Sequence, residues 1–325
     1  MRLIKYRDIL LLRCAKYVPY NKDQQAKHDF VLYTEFLLST LGQLFEEFIA
    51  GLEPYERYLK DMYDKEPDML NTGFLFFLFA LVYCRLHDIH DAHTEDFFVY
   101  TLLYMLGDNY MDNYDVDVDE LKRIINCCYV PASPSCDGKD NNKSILVEIS
   151  RLCNKLYVRY PGIDVLMKNL LYEQIKSTKI QKHSDLDLDI YLQNARNKGN
   201  CVARVYHHMF SFPYQDDVGY VMQLIDDTLD MHLDREHGIT TYCSKMYDMH
   251  HNLDNIIDTS LEIVLNMKDP VYKVILLSIL FAVPQLHPEY FSEELVEDCR
   301  PLSVFPKKYD IRKVITEKLL LYKKQ

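Results

Sequence analysis

Apolar residues recur along this chain at intervals of three and four. Between residues 28 and 50, Phe30, Leu37, Leu41, Leu44, Phe45, Phe48 and Ile49 fall on one helical stripe, and Gly51 and Pro54 end it. The same period predicts helices near 55–64, 71–87, 94–112, 119–129, 143–159, 162–182, 185–198, 200–212, 216–236, 239–266, 270–284, 291–299 and 309–323. No segment combines period-two alternation with β-branched enrichment, so an all-α fold follows. Residues 130–142, VPASPSCDGKDNN, carry Pro, Ser, Gly and Asn without an apolar period and are expected to form a flexible loop. No Pro/Gly/Ser-rich linker divides the chain and no fixed repeat runs through it, so residues 1–325 are expected to fold as a single antiparallel helical bundle.

One predicted helix breaks the amphipathic rule. In YVMQLIDDTLDMHLDREHG (220–238), Asp226, Asp230 and Asp234 recur every fourth residue among Val221, Leu224, Ile225, Leu229 and Leu233. Four residues turn a helix by about 400°, so the carboxylates drift only about 40° per step and stack about 6 Å apart on one face. Asp prefers caps to helix interiors, and no Lys or Arg stands between Asp217 and Arg235 to supply i,i+4 partners. A solvated acidic face normally carries such partners; this column repels itself unless a cation sits on it. Magnesium suits it, because Mg2+ takes oxygen ligands, keeps several waters and combines one or two carboxylates with substrate phosphates. Asp227 adds a fourth carboxylate.

A second acidic cluster ends the helix TEDFFVYTLLYMLGDNYMDNYD (94–115). Asp108 and Asp112 are one turn apart, Asn109 and Asp112 are i and i+3, and Asp115 follows. Negative charge at a helix C-terminus opposes the macrodipole, a placement that a bound cation relieves.

Composition narrows the classes. Nine glycines, none in a GxG arrangement, exclude the dinucleotide fingerprint and the phosphate-binding loop. The net charge of −12 argues against nucleic acid or an anionic membrane as partner, and leaves an anionic small substrate open where a metal inverts the local field. Nine scattered cysteines without a CxxC are expected to be reduced thiols of a cytoplasmic protein. The N-terminal MRLIKYRDILLLRCAKY carries charge throughout and is not expected to be a secretory signal. The apolar runs 73–83 and 274–286 are too short to span a bilayer.

Together the two motifs resemble those of the class I all-α isoprenoid synthases, which grip a prenyl diphosphate through magnesium ions held on opposing helices. QLIDDTLD (223–230) is similar to the second aspartate-rich motif of trans-prenyl diphosphate synthases. Read as D-x3-D-x3-D it resembles the metal triad of terpene cyclases, and the run from Gln223 to Gly238 resembles the second motif of squalene and phytoene synthases. NYMDN (109–113) with DREHG (234–238) is similar to the tetraprenyl-β-curcumene synthase group. The resemblance is confined to these two motifs and a loose match of the helices between them. It implies a helical bundle around a central active-site cavity and about three Mg2+ ions, with Mn2+ as a substitute. Their ligands would be drawn from Asp108, Asn109, Asp112, Asp226, Asp227, Asp230 and Asp234, with Asp108, Asp112, Asp226, Asp230 and Asp234 carrying ionisation of a linear prenyl diphosphate.

For the diphosphate itself the sequence offers Lys179, Arg204, Arg235, Lys308 and Tyr309; the last two are similar to the Arg-Tyr pair of terpene cyclases, with Lys in place of Arg. The first motif departs from the family by lacking a contiguous DD, and CRLHDIHD (84–91) is a rival that resembles the phytoene synthase motif with one residue missing. Prenyl transfer, whether chain-elongating or head-to-head, is the runner-up to cyclisation. The scarcity of basic residues after the first motif, where Lys122 and Arg123 stand, favours a single substrate. Two readings of other classes stay open: a non-catalytic helical scaffold, and an HD-type metal phosphohydrolase built on LHDIHDAH (86–93), for which His28 is the one upstream histidine. A homodimer is also left open.

Overall fold

The structure, a computed structural model, describes residues 94–113, 118–127, 141–210, 214–215 and 217–300. The helices expected at 28–50, 55–64, 71–87 and 309–323, and residues 130–140 of the expected loop, lie outside them. Among the described residues the elements are helices and turns without a strand, so the fold is all-α. None of the described helices is long and apolar enough to cross a membrane. Cys201, Cys243 and Cys299 are free thiols.

The chain divides into two compact units. The first contains α1 (Thr94–Asn113), α2 (Val118–Cys127), α3 (Asn141–Arg159), residues 163–178 of α4 (Ile163–Gln181) and residues 201–210 of α5 (Leu188–Phe210). The second contains residues 179–181 of α4, residues 188–200 of α5, and α6 (Val218–Leu229), α7 (Met231–Glu236), α8 (Tyr242–His250), α9 (Asp254–Asn266), α10 (Pro270–Leu286) and α11 (Glu293–Cys299).

In the first unit α1 is apolar nearly all round, and Phe97, Val99, Tyr100, Leu102, Leu103, Met105 and Leu106 are buried, as a central helix requires. It packs against α3, which also receives the apolar edge of α2 (Leu121, Ile124 and Ile125). Gly162, at φ 86°, reverses the chain between α3 and α4 in a conformation that favours glycine. A buried carboxylate ties α1 to the end of α3. Asp96, fully buried, accepts from Arg159 Nε at 2.9 Å and Nη1 at 3.1 Å and from the Tyr160 hydroxyl at 2.6 Å. Its position in the first turn of α1 also suits the helix dipole. Arg159→Lys keeps the charge but loses the two-pronged geometry, and is expected to lower stability by about 1–2 kcal/mol in urea denaturation.

In the second unit α6 packs against α8, α9 and α10, and α10 also meets α9 and α11. Three boundaries differ from the sequence expectation. Residues 185–198 and 200–212, expected as two helices parted by Gly199, are continuous from 188 to 210, because Gly199 makes room for a neighbouring helix and does not end its own. Residues 239–266 form two helices: Thr241 and Ser244 make a capping box that starts α8, and His251 at φ 58° ends it. Residues 216–236 are likewise divided, at Asp230.

Candidate functional site

The division at Asp230 leaves the carboxylate spacing intact. Asp230 sits between α6 and α7 at φ −97° and ψ 3°, yet its N–H donates to the Asp226 carbonyl at 3.0 Å and the Asp234 N–H donates to the Asp230 carbonyl at 2.9 Å. The i→i−4 ladder thus crosses the junction, and Asp226, Asp230 and Asp234 remain one turn apart, each half-buried. α7 ends at Gly238, φ 69°, with the Ile239 N–H donating to the Asp234 carbonyl at 2.7 Å. Asp227 faces inward and is 6% exposed. Gln223, one turn earlier, holds two of the carboxylates: its Nε2 donates to Asp227 Oδ1 at 2.8 Å and to Asp226 Oδ2 at 3.3 Å.

The expected self-repulsion is present. Burial, and then the charge of Asp226, raise the Asp227 carboxyl from 3.8 to about 7, against the opposing pull of the Gln223 hydrogen bond and the Lys198 charge. Asp234 is raised to about 8 by burial and by the charges of Asp227, Asp230 and Asp226, again opposed by Lys198. The same field, after burial, lifts the Cys243 thiol that receives the Thr228 hydroxyl at 3.4 Å behind the column.

Lys198 was not among the cations expected from sequence. It stands 28 positions before Asp226 and is brought near by the crossing of α5 over α6, where a Cβ on Gly199 would lie 3.0 Å from the Gln223 Cβ. The signal was Gly199 itself, a glycine inside a strongly helical stretch, which marks close packing as readily as a break.

Of the predicted cations, Arg235 turns to α8, where it pairs with Asp248 and lies 5.1 Å over the Tyr247 ring. Lys179 is exposed in the last turn of α4. Arg204 belongs to the first unit, exposed, 5.1 Å over the Tyr214 ring. Lys308 and Tyr309 lie outside the described residues, as do His28, Asp115 and the rival motif at 84–91.

In the first unit Asp108 is half-buried in α1 and accepts from Gln174 Nε2 at 2.9 Å; Gln174 Nε2 also reaches the Tyr104 hydroxyl at 3.3 Å. These groups border a cavity of about 50 Å³ lined by Tyr100, Met111, Met167 and Leu171 among others. That volume is far below the roughly 300 Å³ at which pockets for organic ligands begin. Asn109 and Asp112 belong to α1 by their backbone, but their side chains lie outside the described residues.

The donor set on α6 and α7 is all carboxylate, hard oxygen with excess negative charge, and fits a hard divalent cation. Among the described residues no group of three or more His, Cys, Asp or Glu side chains is placed to hold a metal ion. An ion that fills its shell with water and phosphate oxygens needs only one or two carboxylates at a time, which a column one turn apart provides. Compared with family models, curated proteins and solved structures, the chain gave no match.

Proposed function

We propose that the chain is a magnesium-dependent class I terpenoid synthase that ionises a single linear prenyl diphosphate and releases pyrophosphate. The observation that carries this reading is the carboxylate column: four aspartates over nine residues, two of them raised to about 7 and 8 by burial and by the charges of their neighbours in the column. Asp226, Asp230 and Asp234 would hold the metal on the half-buried line of the column, with Asp227 and Gln223 orienting that line from behind. Magnesium, when bound, supplies Lewis acidity toward the diphosphate oxygens. Lys198 adds a protein cation beside the column and would take part of the charge of the departing group as the carbon–oxygen bond breaks and both electrons leave with oxygen. Asp108 and Asp112 are the proposed first motif.

Burial of Asp227 favours the four-residue pattern over a contiguous pair, since the line that is only half-buried reads 226, 230, 234. That pattern supports ionisation of one substrate ahead of prenyl transfer. Incubation with geranyl, farnesyl and geranylgeranyl diphosphates is expected to release pyrophosphate from at least one of them only when Mg2+ or Mn2+ is present, with a hydrocarbon or alcohol recovered by gas chromatography. Product that required added isopentenyl diphosphate would turn the assignment to chain elongation. Absence of metal-dependent release from all three would defeat it.

A further inference from the structure

The backbones of α5 and α6 touch where they cross. A Cβ on Gly199 would lie 2.1 Å from the Gly219 carbonyl oxygen, and one on Gly219 would lie 2.0 Å from the Gly199 carbonyl oxygen, so neither position has room for a side chain. No side chain can enter this crossing, so the register cannot step by one residue; what the bare contact leaves open is rotation of α5 about it, which would swing Lys198.

A set of polar contacts surrounds the crossing. Asp217, immediately before α6, has φ 67°, a left-handed conformation that is uncommon outside glycine. Its carboxylate lies 3.2 Å from Arg196 Nε as an ion pair, without a hydrogen bond from that N–H, and accepts from Asn200 Nδ2 at 3.4 Å. Asn200 Oδ1 in turn accepts from the Tyr220 N–H at 3.1 Å, and the Arg196 guanidinium lies 4.7 Å over the Tyr220 ring. Arg196 and Asn200, one turn apart on α5, thus bracket Lys198 and Gly199, and both are gripped by the start of α6. A left-handed aspartate persists only where its surroundings hold it there.

We propose that Asp217 is a positioning residue: by clasping Arg196 and Asn200 it fixes the rotation of α5 about its contact with α6 and holds Lys198 beside the Asp226–Asp234 column. The consequence for ligand binding rests on the proposed function; the placement of Lys198 does not.

Two measurements on the full chain separate these. In lysine acetylation by acetic anhydride, followed by mass spectrometry, Lys198 of the wild type is expected to react more slowly than the exposed Lys179 and Lys182. In Asp217→Ala its rate relative to Lys179 should rise on the order of threefold, the scale set by one partly exposed ion pair, with helical circular dichroism retained. Asp217→Asn tolerates the left-handed backbone and keeps an acceptor for Asn200, so it should give a smaller rise; it carries the test should the alanine variant unfold. Unchanged Lys198 labelling in a folded Asp217 variant would overturn the proposal.

The second measurement is magnesium pyrophosphate binding by calorimetry. Asp217→Ala should weaken it as Lys198→Met does, and the double variant should be no weaker than Lys198→Met alone. Additive losses would mean that Asp217 acts otherwise than through Lys198, and would also overturn it. A wild-type chain that binds no magnesium pyrophosphate would defeat the functional reading, leaving the labelling result to decide the clasp.

Discussion

Asp230→Ala is expected to reduce metal-dependent pyrophosphate release by at least about a hundredfold while leaving the fold intact. Asp230 is the middle carboxylate of the column, and its loss leaves Asp226 and Asp234 eight residues apart, about 12 Å along the axis, too far to share an ion. Its side chain does not cap α7, and the bonds that carry the ladder across the α6–α7 junction come from main-chain groups. Removing its charge also removes one of the causes that raise Asp234, so unfolding of the metal-free variant should occur at the wild-type temperature or above it. Loss of rate with undiminished stability separates a metal ligand from a structural acid. A folded variant within about threefold of the wild-type rate would remove the column from the chemistry. The same comparison locates the first motif. Asp112→Ala should behave like Asp230→Ala, and Asp88→Ala and Asp91→Ala should behave as surface changes within about 0.5 kcal/mol of wild-type stability. The reverse pattern would move the first motif to residues 84–91.

The column was legible in the sequence because everything that defines it is local: a four-residue period, an apolar setting and the absence of Lys and Arg from 218 to 234. Helical spacing turns such a pattern into geometry with few alternatives, and even the break at Asp230 left it unchanged. Lys198 was illegible for the opposite reason. Its nearness to Asp227 and Asp234 arises from a tertiary crossing, and the cue, Gly199 between Lys198 and Asn200, supports a helix break and a close contact equally well. Arg235 shows the converse. Its sequence position beside Asp234 suggested a diphosphate ligand, but the turn through Gly238 brings Asp248 and Tyr247 of α8 within its reach, a return path that no periodicity encodes. The buried faces of α1 and α10 followed directly from their apolar runs, whereas the start of α8 depended on one side-chain cap at Thr241.

Without metal the protein should lose stability as pH rises from about 5 to about 8, and magnesium should restore it at the upper end. The sign follows from where the protons are. An aspartate in the unfolded chain releases its proton near 3.8, whereas Asp227 and Asp234 in the folded chain hold theirs to about 7 and about 8. Between these limits the folded state binds more protons than the unfolded state, so the unfolding free energy falls with increasing pH. The stabilisation is complete below about pH 4 and is lost as pH passes through the two folded values. Since the two groups repel one another and titrate as a coupled set, the loss is on the order of a few kcal/mol for the pair rather than the sum of two independent shifts. A divalent cation at the column favours the ionised carboxylates and reverses the trend, so its stabilising effect should be larger at about pH 8 than at about pH 5. Asp227→Asn isolates the aspartate contribution. The substituted amide keeps an oxygen for the Gln223 donor but carries no charge, so the variant should unfold at a higher temperature than wild type at about pH 8 without metal, and with a shallower pH slope. Calorimetric melting of both proteins across this range, with and without Mg2+, measures each quantity. A metal-free wild type as stable at about pH 8 as at about pH 5, with an unchanged slope in Asp227→Asn, would show that the carboxylates do not carry the mutual charge attributed to them, and the reason for placing a cation there would go with it.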